Sequence, residues 1–351
     1  MKQTAQRAAI VTLVAGSIIV LALALWKLKL VLGLLFFALI ISAAMRPGIE
    51  WLARHRVPRG AGLALNYLVI VGVVAAGIAF AVPRALDQVN HALSPSGKQE
   101  IAKAAKNSSG FKHQVLTALQ KRLSHLPKKS ELVKPATNAG LKAFEVVIGI
   151  LFTFAAAAYW IFERDKAIDL VCSLLPRPRR KLVRDTWDLI DAKLGAFVRG
   201  QLVLILLVGT ALSLLFWAIG EPYWILVGSF AGLVEIVPVI GPLAAGALAV
   251  AVGFTSSVHV AALAAIFVLL VRLCEDYLVM PKILGEAVGL SPLLVLVSVT
   301  TIGILFSGWA VLFAVPIAAV VVTLFDVILR DVDPAEEEVP AVLFSARESE
   351  A

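Results

Sequence analysis

Leu233-Val234-Glu235-Ile236-Val237-Pro238-Val239-Ile240-Gly241-Pro242-Leu243-Ala244-Ala245 interrupts an otherwise lipid-like run, residues 223–254. Proline removes a backbone donor and blocks the bond to the preceding turn. Glycine lets the chain turn with no side chain in the way. The helix is therefore predicted to break between Val237 and Pro242, at membrane depth. Irregular backbone is tolerated there only where protein buries it or a wet cavity meets it. An acidic group at the centre of a bilayer costs roughly 2.5–3.5 kcal/mol even on lenient scales. Two readings of Glu235 follow. It faces protein or water beside a midplane transport site, or it sits on a kinked span and reaches toward an interface.

Outward from this stretch, the chain has 351 residues, 60% hydrophobic and 16% charged. Soluble domains carry about 45–50% apolar and about 25% charged residues. Many apolar runs also reach the ~18 residues that mark a membrane span. The predicted class is an all-α polytopic membrane protein with six to eight spans. Cys172 and Cys274 have no metal-type spacing, so neither disulfide nor zinc is expected.

Residues 8–26 and 28–45 read as spans one and two, joined by a tight hairpin at Trp26-Lys27-Leu28-Lys29. The first is expected to stay as a span, because no small-residue cleavage site follows it. Arg46-Pro47 is expected to stop the second, and Pro83-Arg84 the third, residues 61–82. Residues 84–142 hold 11 Lys and Arg against Asp87, Glu100 and Glu131, a surplus equal to the net charge of +8. Phe111, Val115, Leu119, Leu123 and Leu126 fall there at helical spacing. This is either an arm lying on anionic headgroups or a solvated linker. Span four is 141–162. An amphipathic helix along the membrane face, striped by Val183, Trp187, Ile190, Leu194 and Phe197, is expected to feed span five, 201–219.

Residues 223–254 and 292–329 each exceed 30 residues, too many for one ordinary span. The first is broken at Pro238–Pro242. The second is predicted to break near Ser307-Gly308-Trp309 and holds Pro316. If both re-enter, with the span 258–279 between them, the two halves form an inverted repeat. Eight straight-through crossings fit the same chain. Both counts put the termini on one side; the basic loops 46–59 and 177–199 favour the cytoplasm for it, while the basic arm 84–142 argues against that but, being long, orients weakly, so cytoplasmic termini are expected. The division is three N-terminal spans (1–83), a basic helical arm (84–141), a transport core (142–330) and a disordered acidic tail (331–351).

Arg272, Glu275 and Asp276 stand at i, i+3 and i+4, on one helix face. A carboxylate pair beside an arginine can hold one proton or cation and release it as a site opens. The alternative is a charge cluster that anchors a helix end. Lys282, in the glycine-bearing loop 281–290, is placed to meet Glu275 or an anionic substrate. Arg199 reads as an interfacial anchor and Gln201 as a cavity-lining group. Glu235, Pro238, Gly241, Pro242 and Gln201 form the expected pathway; Arg272, Glu275, Asp276 and Lys282 form the expected gate. Gly228 and Gly232 make a small-xxx-small pair. Asn66 and Asp326 are packing contacts. No catalytic or metal-binding residue and no cofactor is expected. The chain has no His-Glu-x-x-His pair, no Gly-x-Ser-x-Gly elbow and no phosphate-binding glycine loop.

Three blocks carry a family resemblance. They are Phe197-Val198-Arg199-Gly200-Gln201-Leu202, then Gly220-Glu221-Pro222-Tyr223 through Glu235 to Pro242, and then Glu275-Asp276-Tyr277 through Pro281-Lys282 to Ser291-Pro292, closing at Phe313-Ala314-Val315-Pro316. Arg46-Pro47 and Val57-Pro58-Arg59-Gly60 agree as well. In these residues the chain resembles the autoinducer-2 exporter family of bacterial multi-pass permeases, over all but the arm and the tail. Ser291 stands where many relatives carry histidine.

The resemblance implies a homo-oligomeric secondary transporter of the bacterial inner membrane. Family members are associated with export of autoinducer-2, a quorum-sensing signal, and some with exchange of sodium or lithium for protons. The expected function is a permease for a small polar solute, with its cavity between the two broken segments. A sodium or lithium/proton antiporter and a non-transporting membrane scaffold are the alternatives. The expected partners are a small-molecule or ion substrate, lipids including anionic headgroups, and further copies of the chain, with no nucleic acid.

Overall fold

Apolar runs of this length leave the backbone one way to satisfy itself in lipid, and every regular element described is a helix. The computed structural model describes residues 2–94, 99, 102–103, 105–106, 113–115, 117–118, 121, 136–238, 240–280, 290–306, 308–340 and 342–343. The helices are α1 (Lys2–Lys27), α2 (Lys29–Arg54), α3 (Arg59–Leu93), α4 (Ala136–Ser173), α5 (Arg177–Ala218), α6 (Trp224–Val234), α7 (Ile240–Ser256), α8 (Val258–Cys274), α9 (Pro292–Leu305) and α10 (Ala314–Leu329). A π-helical turn, Glu275–Val279, continues α8, and a 3-10 turn, Gly308–Phe313, precedes α10. Among the described residues, 6 helices are long and apolar enough to cross a membrane. Shorter apolar helices, α6, α7 and α9 among them, accompany these. The protein is an all-α polytopic membrane protein.

Several boundaries depart from expectation. The junction of α1 and α2 is not a tight hairpin. Leu28 (φ −85°, ψ 3°) donates to Ala24 O at 3.0 Å and accepts from Leu32 N at 2.9 Å, so helical bonding runs through it. Lys29 instead lies over the Trp26 ring, 4.6 Å from its centre. Neither Pro47 nor Pro83 stops its helix; both lie inside, in α2 and α3. A proline costs a helix one hydrogen bond and a kink, not its continuation. The amphipathic stripe and span five are one helix, the 42-residue α5, about 63 Å long at 1.5 Å per residue. The arm's stripe at Phe111, Leu119, Leu123 and Leu126 lies outside the described residues, as do 281–289. The tail expected to be disordered from Asp331 follows a defined course in residues 331–340 and 342–343, because two cations of α5 hold it.

The main core forms where α5 packs on α6, and α6 and α8 on α7. Val208, Leu212 and Phe216 of α5 meet Val227 and Ala231 of α6, Ala245 and Ala249 of α7 and Ala264 of α8. Small residues let these backbones approach, as the Gly228/Gly232 pair suggests. A Cβ on Gly232 would lie 2.6 Å from Ile205 O. A second cluster joins Ile40 and Ala43 of α2 to Leu194 of α5 and to Phe313.

The helix break is real but starts earlier than predicted. α6 ends at Val234 and α7 begins at Ile240. Pro242 therefore lies in the first turn of α7, where N–H groups have no helical partner and proline is tolerated. Val237 N donates to Val234 O at 3.0 Å and Gly241 N to Val237 O at 2.9 Å, so the chain folds back tightly. A Cβ on Gly241 would sit 1.9 Å from Val234 O. The second segment is interrupted between Leu305, where α9 ends, and the 3-10 turn that starts at Gly308, close to the expected position, with Pro316 in the first turn of α10.

Gly241→Ala is expected to lower thermal stability in detergent by about 1–3 kcal/mol, the range for overpacking a tight site. Gly16→Ala, with nothing within 4 Å of the added Cβ, is the control and leaves the melting temperature unchanged or slightly higher.

Candidate functional site

The chain bends at the end of α6 and leaves the Glu235 carbonyl outside a helical ladder. Gln201 of α5 answers it: Nε2 donates to Glu235 O at 3.0 Å, with Gln201 buried. Gln201 thus ties α5 to the break. The Glu235 side chain turns to α8, where Arg272 Nη1 donates to Glu235 Oε1 at 3.2 Å. The same Nη1 donates to Glu275 Oε2 at 3.2 Å, and Nη2 pairs with Asp276 Oδ1 at 2.9 Å.

The predicted i, i+3, i+4 face is therefore formed, and it captures Glu235 from 37 residues away in the chain. The π turn begins at Glu275, at the end of α8. Single π turns inside helices recur at functional sites, and nothing in the spacing announced this one. Glu235 is 6% and Glu275 2% exposed, whereas the side chain of Asp276 is 41% exposed. Among the described residues Glu275 Oε1 has no hydrogen-bond partner. One guanidinium thus faces three carboxylates, two of them sealed in protein. Buried ions persist only when paired; full ionisation leaves this group up to two charges short of neutral. A bound proton or monovalent cation would remove one of the surplus charges. Lys282 lies outside the described residues. Pro238, Gly241 and Pro242 shape the break without offering a polar side chain.

A cavity of about 420 Å3 opens between α2, α5 and α10, lined by Phe36, Leu39, Ile190, Leu194, Val320 and Leu324 among others. None of the expected pathway residues lines it, and its walls are too apolar for a polar solute.

Two features escaped the sequence reading. Arg164 of α4 is buried and bonded to Asp188 and Asp191 of α5, and Arg46 Nη1 of α2 stands 3.9 Å from Asp191 Oδ2. The spacing of Asp188 and Asp191, one helical turn apart, was the available signal. The second feature is Glu221, in the connection between α5 and α6. It is 2% exposed, and both its carboxylate oxygens have no hydrogen-bond partner among the described residues. Burial pushes its carboxyl up to about 8. Asn66 donates to Gly62 O at 2.9 Å and Asp326 accepts from Arg330 at 3.0 Å, each bond joining residues four apart along the chain.

Replacing Arg272 with Gln leaves two buried carboxylates unpaired and is expected to destabilise the protein by about 3 kcal/mol. Adding Glu275→Gln restores part of that loss, which a double-mutant cycle of denaturation midpoints measures. Glu221 gives a pH signature. Its folded value lies above its unfolded one, so its favourable contribution is complete below about pH 4.5 and is lost as pH rises through about 8. Wild type is expected to lose thermal stability across that window relative to Glu221→Gln.

The profile of the AI-2E family transporter matches residues 15–330. The chain is 25% identical to YrrI of Bacillus subtilis (strain 168) over 302 residues, 82% of this chain and 83% of that one. It is 26% identical to YueF of the same organism over 317 residues, 84% of this chain and 85% of that one. PerM of Escherichia coli (strain K12) matches at 27% over 162 residues, 45% of each chain. These relatives carry provisional names as transport proteins or a permease. The match spans the N-terminal spans, the broken helix, the arginine–carboxylate cluster and the second broken segment, and this chain belongs to the AI-2E transporter family.

Proposed function

We propose that this permease is a secondary transporter that moves a small polar solute across the bacterial inner membrane, with its termini in the cytoplasm. The observation that carries the reading is Arg272 shared between Glu235, at a helix break, and Glu275 and Asp276, at the end of a neighbouring helix. A proton or cation that neutralises one carboxylate weakens its hold on Arg272. The break and α8 are then free to part. Opening and occupancy are coupled in this way, because only a ligand that prefers one state shifts the balance between states. Glu235, Gln201 and the 238–242 bend border the path; Arg272, Glu275 and Asp276 gate it, and the sequence adds Lys282 to that gate. A furanone signal of the autoinducer-2 type is the first organic solute to test.

The excess of carboxylates over the one guanidinium favours a second reading, sodium or lithium exchange for protons. Residues 1–83 and 84–141 then act as scaffold and headgroup-binding arm around the transport core 142–330. The chain works as a homo-oligomer, which cross-linking in membranes checks.

The test uses purified protein in liposomes under an imposed pH gradient, with lumenal pH followed as sodium, lithium or the autoinducer-2 precursor is added. We expect a pH change in wild type that falls at least about tenfold in Glu275→Gln/Asp276→Asn, equivalent to about 1.4 kcal/mol on the barrier. A response to cations alone makes the protein an antiporter. A response to the organic solute alone makes it a proton-coupled exporter. An equal response in wild type and variant removes the coupling role from Glu275 and Asp276.

A further inference from the structure

The tail after α10 is held by two cations on one side of α5. Lys193, only 3% exposed in its side chain, pairs with Glu337 at 2.6 Å. One turn on, fully buried Ala196 packs against Val342 and Val339. Arg199 is buried, and its Nε donates to Val342 O at 2.9 Å. Its Nη1 turns the other way, to Ala44 O at 3.2 Å and Ala43 O at 3.5 Å in α2. Ala43 O is the carbonyl that Pro47 cannot serve, since proline has no N–H. Arg199 Nη2 is buried with no acceptor among the described residues. One guanidinium therefore ties α5, the Pro47 turn of α2 and the tail together, with a donor still unused. The link from α10 to these anchors, Asp331-Val332-Asp333, is exposed. An exposed link, a short buried contact and a charged grip describe a segment that opens locally without unfolding the rest.

We propose that residues 332–340, with Val342 and Leu343, are a detachable strap: Lys193 and Arg199 form its receptor site, the Glu337 carboxylate is its principal ligand, and its release loosens α5 from α2 and speeds transport. The site accepts a carboxylate-bearing peptide segment, and the chain supplies its own. The effect on rate rests on the transport reading above; the docking does not.

A protease site inserted between Asp331 and Val332 allows the link to be cut after the protein has folded, so folding is not at stake. The severed protein is washed and reconstituted. We expect the peptide to leave, amide exchange at residues 43–50 and 193–199 to rise at least about tenfold, and solute-driven flux to rise at least about threefold. An excess of a synthetic peptide of residues 331–351 is expected to reverse both changes, and the same peptide with Glu337→Gln to need at least about tenfold more. Unchanged exchange after the peptide has left, or equal potency of the two peptides, overturns the strap. Raised exchange with flux unchanged or lowered overturns its control of transport. If the uncut protein moves none of the solutes, the transport reading fails while exchange and peptide competition still decide the docking.

Discussion

A charge buried in a membrane protein must be answered by another charge, and Arg272 answers more of them than it can neutralise. Its two terminal nitrogens meet Glu235, Glu275 and Asp276 within 3.2 Å. Around that contact the rest of the transport core is arranged. The α6–α7 break exists where Glu235 can face α8. Gln201 of α5 takes the carbonyl the break exposes. Gly241 is needed because the chain passes within contact distance of its own previous turn. Small residues along α5, α6 and α7 bring these backbones close enough for the side chains to reach.

The same logic of orphaned groups recurs on α5 two residues before Gln201. Pro47 leaves a carbonyl in α2 without a donor, and Arg199 supplies one from a helix more than 150 residues away in sequence. Further along α5, Asp188 and Asp191 hold Arg164 of α4. The helix is thus clamped to its neighbours by charge at one end and by apolar packing at the other. Charged clamps are the cheaper to exchange, since a competing ion can take a partner's place; packed cores change only between discrete arrangements.

Much of this was legible in the sequence, for identifiable reasons. Class followed from apolar run lengths. The triplet Arg272, Glu275, Asp276 followed from helical spacing, and both breaks from glycine and proline in lipid-like runs. What was illegible depended on partners distant in the chain. Spacing says that Glu235 needs a partner but not that Arg272 provides it. Arg199 looked like an interfacial anchor because the carbonyls it serves lie in α2. Pro47 and Pro83 looked like stops because local rules cannot know that tertiary contacts carry a helix through them. The acidic tail looked disordered by composition; Lys193 and Arg199, which hold its described part at Glu337 and Val342, are partners that composition does not reveal.

At about 63 Å, α5 is roughly twice as long as the hydrocarbon layer is thick. It is a single rod without a described hinge. Its inner stretch, from Leu204 to Phe216, belongs to the core beside the broken helix, and its outer stretch carries the ion pairs of Asp188, Asp191 and Lys193. A rigid rod cannot tilt at one end alone. A small rocking about the core becomes a larger sweep at the far end, and a push at the far end arrives at the core reduced in distance and multiplied in force. α5 is in this sense a lever, with its fulcrum inside the membrane and its handle outside.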